Sequence, residues 1–242
     1  MNKIIIATDV DGTLTDKRRR INLKSIRILR SLQKRGVEII LVSSHAFPAM
    51  SALGTYLGFR LIVAETGACG GYPWNPIFVE KTPSPEKIIT IARNLGFRPT
   101  PSNPFRLADI SLFPPSENIH DSLRRLKNAL DKFNVDIYYS GFAVHIVKKT
   151  VNKGIGLRKL LEKVDLRGKI IAIGDGLNDV PLFKIADLSV TATNSPEELK
   201  KAADIVLPFK GSQSTVFLLK NIENFFILRK LDLEKLKKIL SE

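Results

Sequence analysis

Apolar residues along the chain fall into short runs that end in polar turns, and the stretches between them repeat at helical spacing. Ile4 to Ala7, Val37 to Val42, Leu61 to Ala64, Lys169 to Ile173, Leu188 to Thr191 and Ile205 to Leu207 are too short for helices and rich in β-branched residues. Such runs predict buried strands. Between them the chain reads as amphipathic helix. The first helix covers Ile21 to Leu32, opened by Asn22 and closed by Gly36, and the second covers Phe47 to Leu57, stopped by Gly58. Others cover Gly154 to Lys163, the residues after Asp179, and the segment from about Pro196. Strands alternating with helices at these intervals imply right-handed crossovers and a parallel sheet.

One region breaks the alternation. Nine of the 13 prolines lie between Pro73 and Pro115, which marks turns and a departure from the first sheet. The pattern there predicts strands at Ile77 to Glu80, Leu107 to Phe113, Asp136 to Tyr139 and Ala143 to Val147. Helices are predicted at Pro85 to Leu95 and Ile119 to Phe133, and a tight hairpin at Ser140-Gly141. The expected fold class is therefore α/β: a Rossmann-like parallel-sheet core with an inserted α+β domain of antiparallel sheet and helices. The expected division is 1–76 for the first part of the core, 77–150 for the insertion, and 151–242 for the second part with a C-terminal helical extension. In that extension, helical from Ser214 with a break near Asp232, Phe225, Phe226, Leu228 and Leu231 exceed one narrow face. Packing on the chain's own core is the expected use, with a dimer contact or a membrane-surface helix as alternatives. Monomer and homodimer both stay open.

Composition narrows the classes. A chain of 242 residues buries enough surface for a sizeable core. Cys69 is the single cysteine, so an internal disulfide and a cysteine-type zinc site are excluded. No run is long enough to span a bilayer, the N-terminal apolar stretch is too short for a signal peptide, and a cytoplasmic location is expected. The net charge of +14 raises nucleic acid or an anionic surface as a partner. The positive residues are dispersed over predicted helices, so no nucleic-acid partner is expected. The largest cluster, Lys17 to Arg20, follows directly on a pair of acids.

Those acids carry the chemistry. The first strand runs into Asp9-Val10-Asp11-Gly12, and continued strand geometry would put Asp9 and Asp11 on the same side of the chain. A calcium loop of the EF-hand type fails on register, because Leu14 and Arg20 stand where Gly and Glu are needed. Ser43 follows the second strand, Asp175 and Asp179 follow the strand at Lys169 to Ile173, and Lys153 opens a helix. Four carboxylates gathered at one sheet edge would repel by roughly 4 kcal/mol per close pair at an effective dielectric near 20. A hard divalent cation resolves that conflict, and oxygen ligands beside a phosphate favour Mg²⁺. The chemistry that fits is phosphoryl transfer. Asp9 would attack phosphorus, Asp11 would act as acid and then base, and Ser43 and Lys153 would hold the phosphoryl oxygens.

Asp9-Val10-Asp11-Gly12-Thr13, Ser43, Lys153 in Val-Asn-Lys-Gly, and Gly174-Asp175-Gly176-Leu177-Asn178-Asp179 resemble the four ordered motifs of the haloacid dehalogenase superfamily of phosphatases. The insertion resembles that superfamily's larger cap type. Tyr139 to His145, the spacing to Val151-Asn152-Lys153-Gly154, and Arg106 carry a further likeness to archaeal-type phosphoglycolate phosphatases. The resemblance implies Asp9 as nucleophile and Mg²⁺ held by Asp9, Asp175, Asp179 and the backbone carbonyl of Asp11. It also implies Lys153 on the substrate phosphate, with Asn178 and Asn194 in support. Arg106 would pair with the carboxylate of a small phosphorylated acid, 2-phosphoglycolate first. Ser44-His45 and Glu65-Thr66-Gly67 depart from the usual family pattern near where a leaving group would lie. His45 and His145 therefore keep both readings, substrate contact or structural role. Sugar phosphates, mannosyl-3-phosphoglycerate, a broad substrate range, phosphate transfer to an acceptor sugar, and a non-catalytic anion-binding role are the alternatives.

Overall fold

The computed structural model describes residues 3–116, 118–227 and 233–241. Two sheets organise it. In the larger, six parallel strands take the order β12 (Ile205–Leu207), β11 (Leu188–Ala192), β10 (Gly168–Ile173), β1 (Lys3–Thr8), β2 (Glu38–Val42) and β3 (Leu61–Ala64). An antiparallel pair, β4 (Cys69–Tyr72) and β5 (Asn75–Val79), continues the sheet beyond β3. The smaller sheet is antiparallel, in the order β6 (Arg98–Pro99), β7 (Ile110–Phe113), β9 (Val144–Lys148) and β8 (Val135–Tyr139).

Alternation along each strand feeds two apolar layers. Ile6, Ile39, Leu41 and Ile171 face α1 (Leu23–Lys34) and α8 (Ser212–Ile227), while Ile5, Ala7, Ile40 and Ala172 face α5 (Lys153–Lys163), α6 (Val180–Phe183) and α7 (Glu197–Ala202). A parallel sheet covered on both faces has continuous apolar strands. The smaller sheet has one such face. Ile110, Leu112, Val144 and Ile146 pack with Ile88 of α3 (Pro85–Asn94) and Leu126 of α4 (Ile119–Leu130). Period two therefore turns Ser111, Phe113 and His145 the other way.

Helix ends follow the sequence signals. Asn22 accepts the amides of Lys24 and Ser25 at the start of α1, and Gly58 closes α2 (Phe47–Leu57) at φ +78°. Further along, α9 (Leu233–Ser241) sends Leu236 and Leu240 into the same core cluster as Phe225. The side chain of Phe226, Leu228, Leu231 and the break near Asp232 lie outside the described residues. Among the described residues no helix is long and apolar enough to cross a membrane.

Three expectations change. Ile77 to Val79, assigned to the insertion, belong to β5 at the edge of the larger sheet. Their partner β4 lies in a stretch for which no strand is expected, and it contains Gly70 and Gly71. Those glycines let β5 approach closely: a Cβ on Gly70 would stand 2.8 Å from the Phe78 ring. Leu107 to Asp109, expected as strand, precede β7 and are held by a side chain of the larger domain described below.

Candidate active site

Sheet order sets the place of the chemistry. From β1 the chain winds one way through β2 and β3, and on return it winds the other way through β10, β11 and β12. The crevice beyond the carboxyl ends of β1 and β10 is thus the switch point where ligands bind in open sheets of this kind. Asp9 directly follows β1, and its amide donates to the Ile173 carbonyl at the end of β10, 2.9 Å away. Asp175 follows two residues later. A glycine is required between them, because Gly12 has φ +73° and a Cβ there would lie 1.9 Å from Asp175 Oδ2.

Lys153, at the first turn of α5, is 1% exposed and lies between two acids. Its Nζ donates to Asp9 Oδ1 at 2.7 Å and to Asp179 Oδ1 at 2.6 Å. Asp179 Oδ2 accepts the backbone amides of Asp175 and Gly176, each at 3.0 Å, so its own loop fixes it. Burial would lower the Lys153 pKa, but the adjacent Asp179 and Asp9 charges raise it. Burial pushes Asp9 up to about 7, with Lys153 pulling down and Asp179 pushing up. Burial, then the charges of Asp9 and Asp179, push Asp175 up to about 8. One lysine does not neutralise three buried or half-buried acids.

The donor set fits a hard cation. Asp9, Asp175 and Asp179 each offer a carboxylate oxygen, all within 4.8 Å of one another. Oxygen-only ligands of this charge suit a divalent metal of the magnesium or calcium type. The Asp11 side chain is not in that group. Strand geometry stops at Thr8, so Asp11 does not continue the period from Asp9. Instead Asp11 is half-exposed, with Oδ2 2.8 Å from His45 Nε2. Despite its burial, the hydrogen bond and charge of His45 leave the Asp11 pKa below the usual carboxylate value.

Above these groups lies a cleft of about 900 Å³ between the two sheets. Asp9, Asp11, Ser43, Asp175 and Asn178 line its floor, and Arg106, Ser111, Phe113, Phe142 and His145 line the opposite wall. Ser43 is buried and its Oγ accepts the His45 amide at 3.2 Å, which leaves its hydroxyl proton to give. Asn178 Nδ2 donates to Ser44 Oγ at 3.1 Å. Asn194 is not among the lining residues; its Oδ1 accepts the Gly211 amide at 2.7 Å and shapes the turn before α8. From the basic cluster, Arg20 pairs with Asp16 at 2.7 Å, and the Arg19 guanidinium lies 4.2 Å from the Phe142 ring centroid at the rim of the cleft.

A family model of haloacid dehalogenase-like hydrolases matches residues 6–96 and 98–216. The chain belongs to the haloacid dehalogenase-like hydrolases. A phosphoglycolate phosphatase of Sulfolobus acidocaldarius is 33% identical over 222 residues, spanning 90% of this chain and 96% of that protein. One from Methanopyrus kandleri is 31% identical, with 90% and 96% covered. A solved structure of Thermoplasma acidophilum 0175 shares the fold at a TM-score of 0.81 and 24% identity, covering 92% of this chain and 99% of that one.

Within this hydrolase fold, two groups escaped the sequence. Glu65 is fully buried in the left-handed region at φ +53°, and its carboxylate accepts four backbone amides. Phe47 donates from the larger domain at 2.9 Å, and Leu107, Ala108 and Asp109 donate from the smaller at 3.0, 2.8 and 3.1 Å. Burial and the nearby Asp109 raise the Glu65 pKa above its usual value. Asp109 is the second. Its side chain is fully buried between Arg106 Nη1 at 2.5 Å and His145 Nδ1 at 3.0 Å. The i, i+3 spacing of Arg106 and Asp109 was the available signal.

Proposed function

We propose that this hydrolase is a Mg²⁺-dependent phosphomonoesterase that works through an aspartyl-phosphate on Asp9, with 2-phosphoglycolate as its leading substrate. The observation that carries the reading is the buried Asp9–Lys153–Asp179 chain with Asp175 beside it, beneath a cleft whose far wall holds Arg106. The printed names of the two archaeal relatives support the choice of substrate. The segment between Glu80 and Val151 acts as a cap over the larger domain.

Asp9 attacks phosphorus through the oxygen that Lys153 does not hold, and the bond to the leaving alkoxide breaks in line. Lys153 and the Ser43 hydroxyl stabilise the phosphoryl oxygens as their charge grows. Asp11, ionised in the free site, takes up a proton as the substrate's negative charge arrives, gives it to the alkoxide, and recovers one from the water that cleaves the Asp9 acyl phosphate. His45, on Asp11 Oδ2, fixes which way that carboxyl points. A magnesium ion held by Asp9, Asp175, Asp179 and the Asp11 carbonyl would supply charge neutralisation at the phosphoryl group. Arg106 receives the carboxylate of the leaving acid.

The test is kcat/KM for 2-phosphoglycolate against p-nitrophenyl phosphate, with Mg²⁺ and with chelator. Preference for the acid and reversible loss on chelation are the expected results. Equal hydrolysis of both esters rejects the substrate, and activity that survives chelation rejects the metal. The roomy cleft favours a second reading, a larger phosphorylated acid or sugar phosphate, which the same assay ranks.

A further inference from the structure

The polar wall of the cap is organised around a residue that does not reach the cleft. Arg106 and His145 line the cleft and Asp109 does not. All three side chains are buried, at 5%, 5% and 0% exposure. Burying an ion pair seldom adds stability over an apolar pair of the same size, so such a group is more often kept for the geometry it imposes. Asp109 stays ionised here: burial works against it, and Arg106 and His145 together hold its pKa below the usual value. An ionised carboxylate only accepts, so His145 must donate through Nδ1. Each oxygen of Asp109 is thus engaged, Oδ2 by His145 and Oδ1 by Arg106.

Arg106 is oriented from two further points. Its Nε donates to Ser102 Oγ at 3.1 Å, and Nη1 donates to the Ser44 carbonyl at 3.1 Å as well as to Asp109. Ser44 adjoins Ser43 at the phosphate end of the cleft, so the guanidinium is registered against the reacting groups. Among the described residues Nη2 makes no hydrogen bond, and two N–H donors of the fork remain for an incoming anion.

We propose that Asp109 is a positioning residue for acid recognition: braced by His145, it holds Arg106 at a fixed distance from Ser43 so that Nη2 meets the substrate carboxylate. The proposal rests on the phosphatase reading above and adds to it the residues that confer acid selectivity. Arg106 touches substrate; Asp109 and His145 act through it.

The measurement is the ratio of kcat/KM for 2-phosphoglycolate to that for p-nitrophenyl phosphate, in wild type and variants. Asp109→Asn should lower the ratio about tenfold, the scale of one charge-assisted hydrogen bond, with the loss in KM for the acid. Arg106→Ala should lower it at least as far. In the double variant, Asp109→Asn should add nothing to the ratio, because its only route is through Arg106. Equal losses on both esters, or additive losses in the double variant, overturn the proposal. His145→Phe, which spares the ion pair, should lower the ratio about threefold. If Asp109→Asn does not fold, an unchanged ratio in His145→Phe overturns the proposal by itself. A wild-type protein without acid preference removes the substrate reading and this inference with it, a result visible before any variant is made.

Discussion

The two walls of the cleft handle charge in opposite ways. On the larger domain, Asp9, Asp175 and Asp179 crowd around one lysine and remain short of positive charge. On the opposite wall, Arg106 and His145 together satisfy both oxygens of Asp109. The first arrangement is under electrostatic strain until something binds. The second is cross-braced before anything binds. On the proposed function, a wall that grips a cation and a phosphoryl group gains from unmet demand, whereas a wall that selects among leaving groups gains from fixed geometry.

The largest effect should come from breaking the strained wall. Asp9→Asn removes the proposed attacking group, and activity should fall at least about a thousandfold, the scale on which removal of a positioned catalytic group is felt. Thermal stability should hold or rise, because one of three repelling acids is gone. A variant that keeps turnover, or that unfolds, contradicts this account of the wall.

The next effect concerns the joint between the walls. Glu65→Ala leaves four backbone amides without their acceptor. The expected cost is about 3 kcal/mol of unfolding free energy, since each buried unmet donor costs about 1–3 kcal/mol and losing a buried acid returns part of it. Denaturant unfolding reads it, and a change below about 1 kcal/mol would mean that the amides find other partners.

The smallest effect sharpens the contrast. Folding raises Asp9 to about 7 and Asp175 to about 8. An acid raised in this way stabilises the fold fully below about pH 4, and its contribution is lost as pH climbs through the folded value. Metal-free protein should therefore melt several degrees lower at pH 8 than at pH 5. Added Mg²⁺ should recover most of that difference at pH 8 and little at pH 5. A melting temperature that rises over this range without metal would contradict the assignment of strain.

The sequence was most legible where polar groups follow strand ends. Asp9, Ser43 and Asp175 each close an apolar run, and a parallel sheet brings such ends to one edge. Less was readable wherever a partner arrives through tertiary contact. The direction of Asp11 depends on a strand that stops one residue before Asp9, and on His45 from the next loop. Glu65 finds its partners in backbone amides that no side-chain pattern announces. Gly70 and Gly71 pair as strand because neighbours press in where side chains would stand, a reason invisible in their own propensity.

Glu80 bears on how the two walls part. Both Lys148, where β9 returns toward the larger domain, and Lys159 of α5 pair with this one acid at the exit from β5. Together with the Glu65 bonds to Leu107, Ala108 and Asp109, it ties the smaller sheet to the larger. At the rim a further contact is Arg19 over Phe142, worth about 0.5–1 kcal/mol at an exposed site. A tie that weak yields more readily than the buried amide bonds to Glu65, so widening the cleft costs least at the Phe142 rim.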